Sequence, residues 1–174
     1  MAKNYYGITD MGRQRDNNED TFFAEPVLNN QYIAACVIDG VGGYDGGEVA
    51  AAIAQQSILA YLRIPSGEVL TMMREAMASA NENIYNEKVR SGDYPRMSCV
   101  ATLALVDTVR NKFYYAHVGD TRLYLFRDKT LVKVTKDHSF VGFLEDSGRL
   151  TEEAAMQHPK RNEINKALGF VPQL

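Results

Sequence analysis

The chain has few of the features that would commit it to a disulfide scaffold, a zinc finger, a membrane or a polyanion. Its 174 residues include two cysteines, Cys36 and Cys99, each inside an apolar run and without CxxC spacing. Cysteines so placed read as small core residues in a reducing compartment, with a disulfide or a metal pair as the lesser alternative. No apolar run approaches the length needed to span a bilayer, and the N-terminal Met-Ala-Lys-Asn-Tyr-Tyr lacks a signal-peptide core. A cytoplasmic protein, or a cytoplasmic domain of a larger one, is therefore expected, with a membrane tail beyond this stretch left open. A net charge of −3 gives no electrostatic reason to expect nucleic-acid or membrane binding. Repeats, low-complexity tracts and linker-like stretches are all missing, so residues 1–174 read as one domain. The three histidines, His117, His138 and His158, are too far apart for a short-range zinc pattern.

The remainder is ordinary globular sequence, 45% hydrophobic and 24% charged. Residues 4–9 and 21–24 read as short strands. Residues 31–39 form a near-continuous apolar run ending in Asp39-Gly40, which predicts a strand buried on both faces. Gly40, Gly42, Gly43, Gly46 and Gly47 then make a loop dense in permissive backbone. An alanine-rich helix is expected over 48–62. A second begins near Ser66 as N-cap, with Leu70, Met73, Met77, Ala80 and Ile84 as its apolar stripe. Pro65 between them predicts an antiparallel helix pair. Strands follow over 98–106, 112–118, 122–127 and 131–134, with turns at 107–111 and 128–129. Thr151 reads as the cap of a last helix. Strands, a helix pair and then a strand meander imply an α+β fold, because one apolar helix stripe needs a sheet face to cover.

Three segments place acids or glycines where strands end: residues 10–20, Asp39 to Gly43, and His117 to Arg122. A carboxylate at the end of a buried strand is costly unless compensated. Mg²⁺ or Mn²⁺ would compensate it, since such ions take oxygen ligands from carboxylates and carbonyls. Singly, each segment has a plainer reading: Asp-Gly is most often a turn, and Gly-Asp-Thr-Arg is compatible with a β-bend carrying a surface ion pair.

Their order and spacing carry more than any one alone. Gly12-x-x-Arg15-x-x-Asn18-Glu19-Asp20, Asp39-Gly40-Val41-Gly42-Gly43 with Gly47-Glu48, and Val118-Gly119-Asp120-Thr121-Arg122 occur in sequence. Thr135-Lys136-Asp137-His138-Ser139, His158-Pro159-x-Arg161-Asn162 and Ala167-Leu168-Gly169 follow. In these motifs the chain resembles the metal-dependent PPM (PP2C-type) protein serine/threonine phosphatases, especially the small bacterial type. The resemblance implies an antiparallel β-sandwich flanked by antiparallel helix pairs, and two or three Mn²⁺ or Mg²⁺ ions. Asp39 would bridge two ions, the Gly40 carbonyl would bind one, and Glu19 and Asp20 would hold the same cluster directly or through water. Asp120 would serve an additional ion, and Arg15 would bind the substrate phosphate. Residues 138–158 would form a flap beside the site. The implied activity is hydrolysis of phosphoserine and phosphothreonine by a metal-activated water, on phosphorylated proteins of a Ser/Thr kinase pathway. Eukaryotic relatives carry His directly after the Asp-Gly pair, whereas this chain has Val41. His117 is read as structural and His138 as ordering the start of the flap.

The resemblance also implies a shortfall. The family pattern continues with a Ser-Asp-Gly and an Asp-Asn segment, each giving an aspartate to the ions, and neither occurs after Gly169. These 174 residues are thus expected to be incomplete at the C-terminus, weak in metal and weakly active or inactive, with an open sheet face that a second copy or partner would cover. The alternative reading is a non-catalytic PPM-like binding or sensing module.

Overall fold

A computed structural model describes residues 4–41, 46–64 and 67–174. Among them β1 (Asp20–Val27), β2 (Tyr32–Val41), β3 (Ser98–Asp107) and β4 (Lys112–Val118) form one antiparallel sheet in the order β1-β2-β3-β4. Helices α1 (Gly47–Leu62) and α2 (Val69–Ser91) pair with each other, and α1 packs against β1, β2 and β3. β5 (Tyr124–Arg127) and β6 (Thr130–Lys133) make a separate hairpin. Two short helices, α3 (Phe140–Asp146) and α4 (Glu152–Gln157), complete the α+β arrangement.

The core lies between the sheet and the helix pair. Ala34, Cys36 and Ile38 of β2 alternate inward to join Ala54 and Ile58 of α1 and Met73 and Met77 of α2. Cys36 and Cys99 are both free and buried there, as expected. The stripe on α2 differs in one place from the sequence expectation: Met72 and Ala76 are buried, whereas Leu70 in the first turn is exposed. Glu68 rather than Ser66 caps this helix, accepting from the Thr71 N–H at 3.0 Å. Ser66 itself, with Pro65, Gly42 and Gly43, lies outside the described residues.

The other face of the sheet behaves differently. β2 is buried on one face only, with Val37 on the opposite face 46% exposed. The expected two-sided burial fails because the helix pair covers one side. β3, its inner neighbour, is instead buried at nearly every position. Of the expected sandwich, the described residues supply this one four-stranded layer and the hairpin. Residues 4–9, expected as a strand, run without a ladder partner, leaving Tyr6 and Ile8 84% and 76% exposed. This segment still touches the sheet: a Cβ on Gly7 would strike the Phe22 ring. Residues 122–123 also fall outside β5. The turn at Asp128-Lys129 has φ of 51° and 61°, the type I′ geometry that matches strand twist.

Asn81 ties the C-terminal segment to α2. It is 1% exposed, accepts from the Gly169 N–H at 2.8 Å and donates to the Val171 carbonyl at 3.0 Å. Lys88 on the same helix donates to the Gly169 carbonyl. Asn81→Ala strands the buried Gly169 N–H, so it is expected to cost about 1–3 kcal/mol in urea unfolding. An unchanged urea midpoint would refute that account.

Candidate metal and phosphate site

The strand register brings the acidic groups together. β1 and β2 pair antiparallel with Asp20 opposite Asp39, so both carboxylates project from the same face. Asp39 is also opposite Val100 of β3, and β4 ends beside it, leading through Gly119 to Asp120. Glu19, one residue earlier, points the other way, as strand alternation requires. Its buried carboxyl sits 3.1 Å from where a Cβ of Gly47 would be, at the start of α1.

Glycine permits this junction. A Cβ on Gly40 would lie 2.4 Å from the Gly47 backbone and 2.7 Å from the Glu19 carbonyl. That carbonyl accepts from the Gly40 N–H at 3.1 Å, fixing the end of β2 against the start of β1. The predicted backbone-permissive loop thus has a concrete purpose at Gly40 and Gly47: strand end and helix start touch.

Above this floor is an open pocket of about 650 Å³ lined by Arg15, Glu19, Asp39, Gly40 and Asp120. Five of the six residues picked from sequence therefore share one cavity; Asp20 joins them through its register with Asp39. Arg15 is 70% exposed at the rim, with an ion pair to Glu19 at 3.3 Å. Among the other pocket residues, Asp16, Asn17, Glu48 and Asn162 received no role from the sequence. Asp16 and Asn17 fall between the motif positions Arg15 and Asn18. Glu48 and Asn162 belonged to quoted motifs, which is the signal that pointed to them.

The electrostatics show what the cluster lacks. Asp39 is partly exposed to the pocket, yet desolvation, then the Asp20 and Asp120 carboxylates, push it up to about 7, and Arg15 only partly opposes this. Asp20, facing Asp39 across the strand pair, thus favours a proton on Asp39. Burial also raises Glu19 and Asp120 above the usual carboxylate range; Arg15 works against it at Glu19. Five acids lining one cavity, Asp16, Glu19, Asp39, Glu48 and Asp120, with a single exposed guanidinium form a negative site suited to a hard cation. Even so, among the described residues no group of three or more His, Cys, Asp or Glu converges closely enough to hold a metal ion by itself.

The histidines are accounted for without catalysis. His117 sits between Thr102 Oγ1 at 2.8 Å and the Lys136 carbonyl at 3.1 Å, the structural role read from sequence. Burial lowers the pKa of both His117 and His138. The expected flap is organised by Ser139 and Thr151, which cap α3 and α4. It is anchored by Arg122, whose guanidinium reaches Asp137 at 2.7 Å, Glu145 at 3.2 Å and Glu152 at 2.8 Å.

The fold and the pocket define an α+β domain with carboxylates gathered at strand ends beneath an arginine. The protein phosphatase 2C family model matches residues 4–168, and the chain belongs to that family. It is 36% identical over 170 residues to the serine/threonine protein phosphatase PstP of Mycobacterium tuberculosis, covering 97% of this chain and 31% of PstP. It is 32% identical over 166 residues to a putative protein phosphatase 2C-type of Streptococcus pyogenes, covering 92% of this chain and 65% of that one. The chain thus spans about a third of the mycobacterial relative and just under two thirds of the streptococcal one. In structure it is similar to the serine/threonine phosphatase Stp1 of Staphylococcus aureus (TM-score 0.86, 29% identity, 96% of this chain and 66% of that one). It is also similar to the catalytic domain of PstP in complex with two manganese ions (TM-score 0.75, 31% identity, 92% and 64%).

Proposed function

We propose that this chain carries the phosphate-binding arginine and part of the metal shell of a phosphoserine/phosphothreonine phosphatase. The observation that carries this reading is the placement of Asp39 opposite Asp20, with Asp120 alongside and Arg15 at the rim of the same pocket. The residues fit a divalent ion: facing acids, of which Asp39 otherwise keeps a proton, accept a hard cation in its place. Asp20, Asp39, Asp120 and the Gly40 carbonyl would hold Mn²⁺ or Mg²⁺, with Glu19 joining through water. When bound, such ions lower the pKa of water and offset charge on phosphoryl oxygens.

Arg15 supplies what the protein itself brings to the substrate. Its planar guanidinium offers a fork of donors to two phosphate oxygens. Glu19 keeps it at the rim through their ion pair, so a phosphate entering the pocket meets a held cation. Asp39 must lose its proton for metal to enter. The carboxylates act as a scaffold for charge and are not nucleophiles.

Phosphorylated proteins of a Ser/Thr kinase pathway are the proposed substrates, and the names of the relatives support this. No helix among the described residues is long and apolar enough to cross a membrane; we place the protein in the cytoplasm. The test is Mn²⁺-dependent phosphate release from a phosphothreonine peptide, stopped by EDTA, in a chain extended to the length of its streptococcal relative. No release under those conditions favours the second reading, a non-catalytic module. That reading draws on the absence of any three-residue acidic convergence among the described residues.

For the chain as it stands, the proposed partner is a second copy. Val37, Phe113 and Tyr115 are exposed on the sheet face away from the helices, a patch without charge that complements itself. Sedimentation velocity should show a dimer that Val37→Lys converts to monomer. A monomeric unsubstituted chain would count against this.

A further inference from the structure

The Gly119 peptide, directly before Asp120, is held from behind by His138. Gly119 has φ of 108°, and a Cβ there would lie 2.1 Å from Val100 Cγ1. A backbone in this region is closed to other residue types, and it depends on outside bonds to stay put. Those bonds come from His138. The Gly119 N–H donates to His138 Nδ1 at 3.1 Å, and the His138 N–H donates to the Gly119 carbonyl at 2.6 Å. The His138 carbonyl in turn accepts from the Asn165 N–H at 2.7 Å, and Ser139 bridges to Ile164. Asp120, Asn162 and Ile164 all line the phosphate pocket. His138 is thus the point where two walls of that pocket meet.

The imidazole itself has a defined orientation. An N–H donating to Nδ1 requires that nitrogen to carry no proton. His117 stacks on the ring with centroids 4.9 Å apart and is itself fixed by Thr102 and Lys136. A ring held by packing on one side and bonded on the other sets its neighbour's position more tightly than a loop could.

We infer that His138 is a positioning residue, whose Nδ1 fixes the Gly119 peptide so that the Asp120 carboxylate faces the metal pocket in register with Asn162 and Ile164. The inference rests on the proposed metal role of Asp120. The two backbone bonds survive any side-chain change, so substitution isolates the ring acceptor. His138→Leu removes it. His138→Asn restores it, because the amide Oδ1 stands where Nδ1 did.

The test uses the 174-residue chain and two readouts by NMR. In His138→Leu, hydrogen exchange at the Gly119 amide should quicken about two- to tenfold, the worth of one hydrogen bond. Exchange in β3 should not change, and His138→Asn should restore the Gly119 rate. With Mn²⁺ added, paramagnetic broadening of the residues around the pocket reports its filling. His138→Leu should raise the Mn²⁺ needed for that broadening about tenfold, as loss of an outer support does for metal ligands, and His138→Asn should bring it back. Unchanged exchange at Gly119, an unchanged Mn²⁺ requirement in His138→Leu, or failure of His138→Asn to restore either would overturn the inference. The phosphatase reading is judged separately, by phosphate release.

Discussion

Asp39→Asn should raise the melting temperature of the metal-free chain and, in a chain of the relatives' length, lower Mn²⁺-dependent phosphate release about 10²- to 10³-fold. Both effects come from the same carboxylate. Desolvation and the facing acids push Asp39 up to about 7, whereas an unfolded aspartate titrates near 3.8. Between those values the folded chain keeps a proton that the unfolded chain has released. Stability from this group is therefore complete below about pH 4, falls as pH rises, and is fully lost above about pH 7. His117 and His138 act in the opposite sense. Burial lowers their pKa, so their contribution is present above the ordinary histidine value and is lost as pH falls. The raw pH profile mixes these effects, but the difference between Asp39→Asn and the unsubstituted chain does not. That gap in melting temperature should be near zero at pH 4 and reach its full size above pH 7, in EDTA. A gap independent of pH would mean that Asp39 is not the strained acid described here. Loss of activity beside a gain in stability is the usual signature of a site kept at the expense of the fold.

Why Asp39 stands out in structure but not in composition shows where sequence reading succeeds. Residues 31–39 name a strand ending in Asp-Gly, and β2 runs through that point, to Val41. The antiparallel helix pair was legible too, because Met73, Met77, Ala80 and Ile84 recur at helical spacing and all are buried. The ordered motifs singled out Arg15, Glu19, Asp39, Gly40 and Asp120, and these five line one cavity. What one-dimensional pattern cannot carry is pairing. That Asp20 falls opposite Asp39, and Glu19 on the other side of the strand, follows from a register set by the Leu28–Asn30 turn. The same limit explains residues 4–9. Their strand-like composition does not create a ladder where no neighbouring strand offers one. Leu70 fits the stripe by spacing yet lies in the first turn of α2, beyond the reach of the sheet. Asp137 was quoted only inside a motif. Its buried grip on Arg122 becomes visible once the hairpin folds the two segments together.

Mn²⁺ titration of the 174-residue chain is the second large expectation: one ion at most, bound weakly, and about tenfold more weakly at pH 6 than at pH 8. The count follows from charge. Two divalent ions about 4 Å apart repel by on the order of 4 kcal/mol even at the dielectric of water, and by more where water is excluded. Against that stand Asp20, Asp39 and Asp120, with Asp39 largely protonated below about pH 7, while Glu19 is turned toward α1 and paired with Arg15. No three acidic or histidine side chains converge among the described residues. That supply can offset one ion but not a close pair. The pH dependence follows from Asp39, which must ionise before metal enters. With its pKa at about 7, roughly a tenth of the sites are ionised at pH 6 and nine tenths at pH 8. Calorimetry at both values, with Asp39→Asn as the reference that should bind at neither, distinguishes this account from its rivals. Two tightly bound Mn²⁺ per chain would show that the present acids suffice. Binding equal at pH 6 and pH 8 would show that the ion sits elsewhere than on Asp39.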